Sequence, residues 1–304
     1  MGKFKAYITK TSGGVLKLGQ ERIQILLKDR LSMADEDIYW LDAPDIGTCL
    51  GEIVKENSQG VIIGGGDGTA VAAASVLVDR GIPFAVLPLG TMNLLAQDLG
   101  ALSSFEETMD KINGFVPDIM DVGVLNGEPF LCSAVIGVVP EGAVLREELR
   151  NEITFDTMAR FVSMMCRGLA GGEKKRLNLK VGDYDVGYSL DTTSLIVSNN
   201  AFTGNPQNPQ ERFSRPDLKA GKLAVYSAAP EDMLDGIRMA IGVLQGSWQE
   251  QENIKSFEID ELIVNTTEEE VLVSLDGEPK MMKPPLHFTI RRASLPVLRL
   301  ELAA

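Results

Sequence analysis

Residues 61–100 read VIIGGGDGTAVAAASVLVDRGIPFAVLPLGTMNLLAQDLG, and this stretch decides the fold. Val61, Ile62 and Ile63 form a β-branched run of the kind found in a strand buried on both faces of a parallel sheet. Gly64, Gly65, Gly66 and Gly68 follow, with Asp67 as the only charge among them. Glycines can take positive φ and let another group approach the backbone closely. Thr69 through Val78 reads as a helix. A second unit repeats the plan: Phe84 to Leu87 is a buried-strand pattern, Pro88, Gly90, Thr91 and Asn93 form a polar loop, and LLAQDLG is helix-compatible. Such loops turn backbone N–H groups and the positive end of a helix dipole toward one point, which suits a phosphate. In open parallel sheets the ligand crevice lies at the carboxyl ends of the strands, so both loops can serve one site. Taken alone, a glycine run is also what a tight strand-to-helix turn requires.

Working outward, Phe4 to Thr9 is strand-like and Thr11-Ser12-Gly13-Gly14 precedes a helical pattern from Val15 to about Leu31. The Ser12 loop reads equally as a third phosphate-facing loop and as an ordinary βα turn. Asp37 to Leu41 predicts a strand and Pro44 to Asn57 a helix with proline near its start. Ser103 or Ser104 with Glu106 or Glu107 makes a capping-box pattern for a helix ending near Gly114, and Val116 to Leu125 predicts a strand holding Asp118 and Asp121. This alternation implies a doubly wound, Rossmann-like α/β domain over residues 1–125.

Beyond it the pattern turns to strand-like runs at Pro129–Ile136, Arg176–Val181, Tyr184–Ser189, Ser194–Ser198, Lys222–Ser227, Ser256–Val264, Glu270–Leu275 and Leu286–Ile290. They predict a mostly antiparallel β-sandwich domain over 126–304, with the last residues returning to the first domain. Helical insertions are expected at Glu141–Gly168 and Pro230–Gly246, the first with a charged cluster, Arg146, Glu147, Glu148 and Arg150, that reads as a solvated face. Asn199 to Pro216 is the longest loop candidate, of the length often used for binding.

The composition narrows the function classes. A net charge of −14 makes nucleic acid a poor partner and sets an anionic membrane against the chain on average. Cys49, Cys132 and Cys166 are odd in number and widely spaced, unlike a disulfide framework or a metal knuckle, and fit a reducing, cytoplasmic setting. His287 is the only histidine, which removes His-based triads and multi-histidine metal sites. Neither a Walker G-x-x-x-x-G-K-[ST] nor a G-x-G-x-x-G spacing occurs. The amino terminus lacks a signal-peptide core, and no apolar run approaches the ~20 residues that span a bilayer. Membrane contact is therefore expected to be peripheral and transient, at the inner membrane face. The basic triplet Lys174-Lys175-Arg176 reads as an exposed turn.

Gly-Gly-Gly-Asp-Gly-Thr at 64–69 followed by PLGTMNLLAQDLG at 88–100 resembles the diacylglycerol kinase catalytic-domain family, which includes bacterial lipid kinases and sphingosine kinases. The first motif is shared with NAD kinases and phosphofructokinases, and the second favours the lipid-kinase branch, since NAD kinases typically carry Asn-x-Gly there. The resemblance implies ATP and Mg²⁺ as cofactors, and a lipid alcohol such as diacylglycerol as substrate. Gly65, Gly66, Gly68 and Thr69 are then expected to hold the nucleotide phosphates. Gly90, Thr91, Asn93 and Ser12 are the further nucleotide contacts, and Asp67 acts through Mg²⁺ or orients the phosphoryl group. Asp276-Gly277-Glu278 is, on spacing, a hairpin signal. The family carries Asp-Gly-Glu at this place in its second domain, and the resemblance makes Glu278 the general base on the lipid hydroxyl, closing a site in an interdomain cleft.

The match departs from the family pattern at four points. Thr9-Lys10-Thr11-Ser12-Gly13 keeps only the Ser-Gly of Asn-Pro-x-Ser-Gly, and Cys132 stands where Asn is usual. Lys219-Ala220-Gly221 replaces the Asp-Asp-Gly that holds a structural metal in some members, and Asn93-Leu94 replaces Asn-Asp. NAD kinase activity and a catalytically silent lipid-binding or regulatory protein stay as alternatives, and a homodimer is one expected assembly.

Overall fold

The structure, a computed structural model, describes residues 4–53, 60–90, 93–102, 104–137, 174–181, 187–204, 207 and 213–300. The helix expected over Glu141–Gly168, its charged cluster and Thr91 lie outside the described residues. The chain divides into two compact units, one of residues 1–122 with 292–304 and one of residues 123–291.

In the first unit β1 (Phe4–Thr9), β2 (Ile38–Leu41), β3 (Gly60–Gly65) and β4 (Phe84–Pro88) form a parallel sheet ordered β2-β1-β3-β4. β3, β4 and most of β1 are buried on both faces, as their continuous apolar runs require, while the edge strand β2 is partly exposed. Ala6, Ile8, Ile62, Ala85 and Leu87 pack in one core with Ile23, Leu26 and Leu27 of α2 (Gln20–Leu31) and with Phe105 and Met109 of α6 (Phe105–Lys111). The alternate residues Tyr7, Ile63 and Val86 are buried too, on the side of Ile46 and Leu50 from α3 (Ile46–Ile53) and Ala70, Ala73 and Leu77 from α4 (Asp67–Leu77). Helices on both faces make this the doubly wound domain that the alternating pattern implies.

Local chemistry shifts several expected boundaries. The helix expected from Val15 to Leu31 is two, α1 (Gly13–Leu18) and α2, because Gly19 adopts φ 83 between them. The expected strand start at Asp37 falls in a turn of 3-10 helix, Asp35–Asp37, so β2 begins one residue later. The helix expected from Pro44 begins as another such turn, Ala43–Asp45, before α3. Ser104 is the cap of α6, its Oγ accepting from the Glu107 N–H at 3.2 Å. β5 (Phe115–Leu125) then runs out of the first unit.

The second unit is a sandwich of antiparallel strands. One sheet is ordered β12-β11-β10-β7-β14-β15, from β7 (Ser133–Gly137), β10 (Ser194–Asn199), β11 (Leu223–Ala228), β12 (Ile254–Ile259), β14 (Val271–Leu275) and β15 (Glu278–Met282). The other contains β6 (Glu128–Phe130), β8 (Lys175–Val181), β9 (Gly187–Thr192), β13 (Glu261–Asn265) and the start of β16 (Leu286–Leu300). Ala134, Ile136, Leu195, Val197, Val225 and Val273 from the first sheet meet Leu177, Leu179, Leu262, Val264 and Phe288 from the second in one core. Pro129–Ile136 and Ser256–Val264, each expected as one strand, are two strands apiece, interrupted at 131–132 and at Asp260. The strand at Leu286 extends past its expected end at Ile290 to Leu300. Its last part rejoins the first unit, where Val297 pairs in parallel with Phe84 and Ala293, at φ 46, donates its N–H to Asp121 Oδ1 at 2.7 Å.

The expected helix at Pro230–Gly246 is α7 (Met233–Gln245), capped by Asp232, whose side chain accepts from the Asp235 N–H, and ended by Gly246 at φ 76. No helix among the described residues is long and apolar enough to cross a membrane.

Candidate functional site

Three loops meet in the first unit at the carboxyl ends of β1, β3 and β4. The Gly14 N–H donates to the Leu89 carbonyl at 2.8 Å, joining the loop after β1 to the loop after β4. The Thr9 and Thr69 hydroxyls lie 3.1 Å apart, joining β1 to the first turn of α4. The glycines act here by close approach. A Cβ on Gly90 would stand 2.3 Å from the Gly66 Cα, one on Gly65 2.6 Å from the Thr69 hydroxyl, and one on Gly14 2.8 Å from the Leu89 backbone. Positive φ, the other property expected of the glycine run, is not used: Gly66 sits at φ −88, and Gly64, Gly65 and Gly68 are not among the residues of positive φ.

Gly66 is the N-cap of α4, and the first bond inside that helix runs from the Ala70 N–H to the Gly66 carbonyl at 3.1 Å. The amides of Asp67, Gly68 and Thr69 precede it and have no acceptor within the helix, as at any helix start. These amides and the positive helix end make a seat for an anion. The expected helix start at Thr69 thus moves to Asp67, which places the carboxylate in the first turn.

The remaining expected residues divide between direct and supporting positions. Asp67 Oδ1 accepts the Leu95 N–H at 3.1 Å, so the carboxylate also anchors the start of α5 (Leu94–Asp98). Asn93, in the left-handed region at φ 54, accepts the Gly90 N–H at 2.7 Å and donates to the Gly90 carbonyl at 3.1 Å. Its side chain therefore shapes the second loop rather than extending from it. Ser12 Oγ is buried and has no hydrogen-bond partner among the described residues. A buried orphan hydroxyl in the loop after β1 fits a polar ligand atom, while the missing Cβ atoms at Gly66 and Gly90 let the two loops touch each other. For a divalent cation the donor set is sparse: among the described residues no three His, Cys, Asp or Glu side chains gather. Asp67 alone fits a cation that arrives on a nucleotide, the mode in which one carboxylate and the phosphates share Mg²⁺.

Glu278 belongs to the second unit. Asp276 and Gly277, at φ 49 and 91, are the two-residue turn between β14 and β15, with Leu275 paired to Glu278. Positive φ at both positions is the type I′ geometry that Asp-Gly favours, so the hairpin reading of this motif is what forms. Glu278 is the exposed first residue of β15, a strand that the hydrophobic pattern did not indicate. The motif's first carboxylate does the structural work. Asp276 accepts the N–H groups of Leu131, Cys132 and Ser133 at 2.7, 2.8 and 2.8 Å. Burial pushes its carboxyl above the usual carboxylate range, while those three donors and the charge of Arg215 pull it down.

Arg215, 1% exposed, donates to the carbonyls of Leu131 and, at 2.9 Å, Asn199, and lies 3.4 Å from Cys132 Sγ. Asn199 Nδ2 also donates to the Leu131 carbonyl, at 3.1 Å. Segment 131–133 is thus held from both sides by Asp276 and by Arg215 with Asn199. Cys132, which stands where Asn is usual, has its N–H bonded to Asp276 and its Sγ 3.4 Å from Arg215. Asp276 had only a hairpin signal and Asn199 and Arg215 none for this role, since the pairing of β7 with β10 and β14 brings Asn199 and Asp276 to the segment.

Residues 16–125 match the family model of the diacylglycerol kinase catalytic domain, the family that the motifs at 64–69 and 88–100 resemble. Over 233 residues the chain is 23% identical to an uncharacterized protein of Synechocystis sp., covering 73% of this chain and 51% of that protein. Over 135 residues it is 30% identical to a Shewanella frigidimarina protein named "Probable lipid kinase YegS-like", covering 42% of each. A 60-residue stretch, 20% of each chain, is 38% identical to an NAD kinase of Lachnospira eligens. The chain spans about half or less of the length of these curated relatives. A crystal structure from Bacillus anthracis str. Sterne, assigned to the diacylglycerol kinases, matches with a TM-score of 0.71 at 17% identity, over 98% of this chain and 96% of that one. At that identity the likeness shows the shared fold.

Proposed function

We infer that this chain, whose residues 16–125 carry a diacylglycerol kinase catalytic domain, is an ATP-dependent lipid kinase that moves the γ-phosphoryl group to the hydroxyl of a diacylglycerol-like lipid alcohol. One observation carries this reading: the loops after β3 and β4 touch at Gly66 and Gly90 beside the first turn of α4, where Asp67 stands.

Phosphoryl transfer asks a protein chiefly for position and charge compensation. The amides at 67–69 bind the nucleotide phosphates, Ser12 Oγ offers a further hydrogen bond, and Asn93 keeps Gly90 close enough to Gly66 that neither loop blocks them. Mg²⁺, when bound with the nucleotide, neutralises phosphate charge, and Asp67 is the carboxylate that would hold it. Glu278 is the base: it takes the proton of the lipid hydroxyl as that oxygen forms its bond to the γ-phosphorus and the bond to the bridging oxygen breaks, leaving ADP. Asp276 positions it by fixing the turn from which it starts.

The test is purified protein with labelled Mg-ATP and, separately, diacylglycerol, a ceramide-like base and NAD. Label is expected in a lipid alcohol. Folded Asp67→Asn and Glu278→Gln variants are each expected to lose at least ~100-fold in turnover. Label in NAD alone, label in no acceptor, or wild-type turnover in both variants overturns the assignment.

A further inference from the structure

Helix α7 carries a second apolar face that the second unit does not cover. Surface helices of a water-soluble unit place apolar residues inward and polar ones outward. Among the described side chains of this helix Gly236 and Gly242 are the buried positions, with Met239, Ala240 and Val243 partly buried beside them. Met233, Leu234, Ile237 and Ile241 point the other way and are 51, 54, 40 and 46% exposed. Met233, Ile237 and Ile241 follow one another at four-residue intervals, and Leu234 precedes Ile241 by seven, so the four make one stripe. The inner face is committed to close contact: a Cβ on Gly242 would lie 2.7 Å from the side chain of Gln251. The helix packs inward through its glycines and through Val243, which lies against the Tyr226–Trp248 cluster, and offers Met233, Leu234, Ile237 and Ile241 to whatever lies outside.

We propose that this stripe is the surface by which the protein rests on a lipid bilayer of uncharged net headgroup, bringing the kinase to its membrane-dissolved substrate. The choice of occupant rests on the lipid-kinase reading, and two observations support it over the other occupants. Four side chains about half exposed present only a few hundred Å², against the roughly 800 Å² per partner that a stable protein–protein interface buries. A bilayer sets no such minimum, since an amphipathic helix can lie in the headgroup region with its apolar face down. The charges around the stripe are Glu231, Asp232, Asp235 and Arg238, and Arg238 is paired with Asp235 at 3.3 Å. That rim is net negative, like the chain as a whole, so an anionic surface is repelled and a zwitterionic one is not.

The experiment is co-sedimentation of the full chain with phosphatidylcholine vesicles and with vesicles containing phosphatidylglycerol, for wild type and for Ile237→Asp/Ile241→Asp. Both substitutions sit at exposed positions, and unchanged Trp248 fluorescence verifies that the fold is kept. Wild type is expected to bind phosphatidylcholine more tightly than the anionic vesicles, and the double variant to bind at least tenfold more weakly. Phosphoryl transfer to a detergent-dispersed short-chain lipid alcohol is expected to be equal in both proteins. Wild type that ignores phosphatidylcholine, a double variant that binds as well as wild type, or a wild-type dimer in light scattering that the variant abolishes overturns the proposal. Vesicle binding needs no catalysis, so binding by a protein that phosphorylates no lipid supports this surface while refuting the kinase assignment.

Discussion

Replacing Asp276 with alanine removes the acceptor shared by the N–H groups of Leu131, Cys132 and Ser133, bonded at 2.7, 2.8 and 2.8 Å. Leu131 and Cys132 are 0 and 5% exposed, so water cannot take the place of the carboxylate without opening the segment. An orphaned buried donor costs about 1–3 kcal/mol. Part of this is returned, because the carboxylate is itself desolvated, as its raised pKa reflects. The expected net loss is ~3–5 kcal/mol, a large share of a typical folding stability. Asp276→Asn keeps Oδ1 for Cys132 and Ser133 and sets an amide NH₂ against the Leu131 N–H, so it should lose only ~1–2 kcal/mol. Asparagine also tolerates the φ of 49 at this turn. The chain has two tryptophans, Trp40 in the first unit and Trp248 in the second, so urea unfolding of a Trp40→Phe background followed by Trp248 fluorescence reads the second unit. An Ala variant with an unshifted midpoint at equal m, or an Asn variant as unstable as the Ala variant, would refute the claim that this carboxylate holds segment 131–133.

Further outcomes follow from other contacts. Gly90→Ala drives a Cβ to 2.3 Å from the Gly66 Cα and is expected to lower stability by more than ~1–3 kcal/mol together with ATP affinity. Gly66→Ala, whose Cβ meets the Gly90 Cα at 3.6 Å, should stay within about 1 kcal/mol of wild type in thermal unfolding while titrations show weakened nucleotide binding. Ser104→Ala removes the cap of α6 and should cost ~0.5–2 kcal/mol, measured by denaturant unfolding of the first unit through Trp40. Burial pushes the Tyr226 phenol up to about 12, opposed by the Phe202 N–H that it accepts and aided by the charge of Glu258. Its folded pKa is thus above its unfolded one: the associated stability is fully present below pH ~10 and is lost as pH rises through about 12. Ultraviolet titration should show Tyr226 ionising late in the folded protein, and Tyr226→Phe should remove one equivalent of that late absorbance change.

The α/β sheet followed by antiparallel strands was legible because hydrophobic periodicity is a local record of burial. The runs at 61–63 and 84–87, apolar at every position, encode strands covered on both faces, and β3 and β4 are such strands. Boundaries were less legible where one glycine or one turn decided them. Gly19 splits the first helical pattern, and Asp260 separates β12 from β13 within a run of strand-like residues. β15 escaped because its residues Glu-Pro-Lys-Met-Met are mostly exposed and carry no alternation, so only pairing with β14 makes it a strand.

The sequence by itself determined which candidate groups this protein carries: a glycine loop with one carboxylate, a second glycine loop after the next strand, and an Asp-Gly-Glu far down the chain. It determined the architecture to the extent that burial leaves a periodic trace. Only the tertiary structure decided how those residues divide their work. Contact between Gly66 and Gly90, the use of Asn93 on its own loop, the fixing of segment 131–133 by Asp276, Asn199 and Arg215, and the outward stripe of α7 all depend on neighbours distant in sequence. Hydrogen bonds and close contacts act over a few ångströms in space, and spacing along the chain does not record which backbone will arrive there.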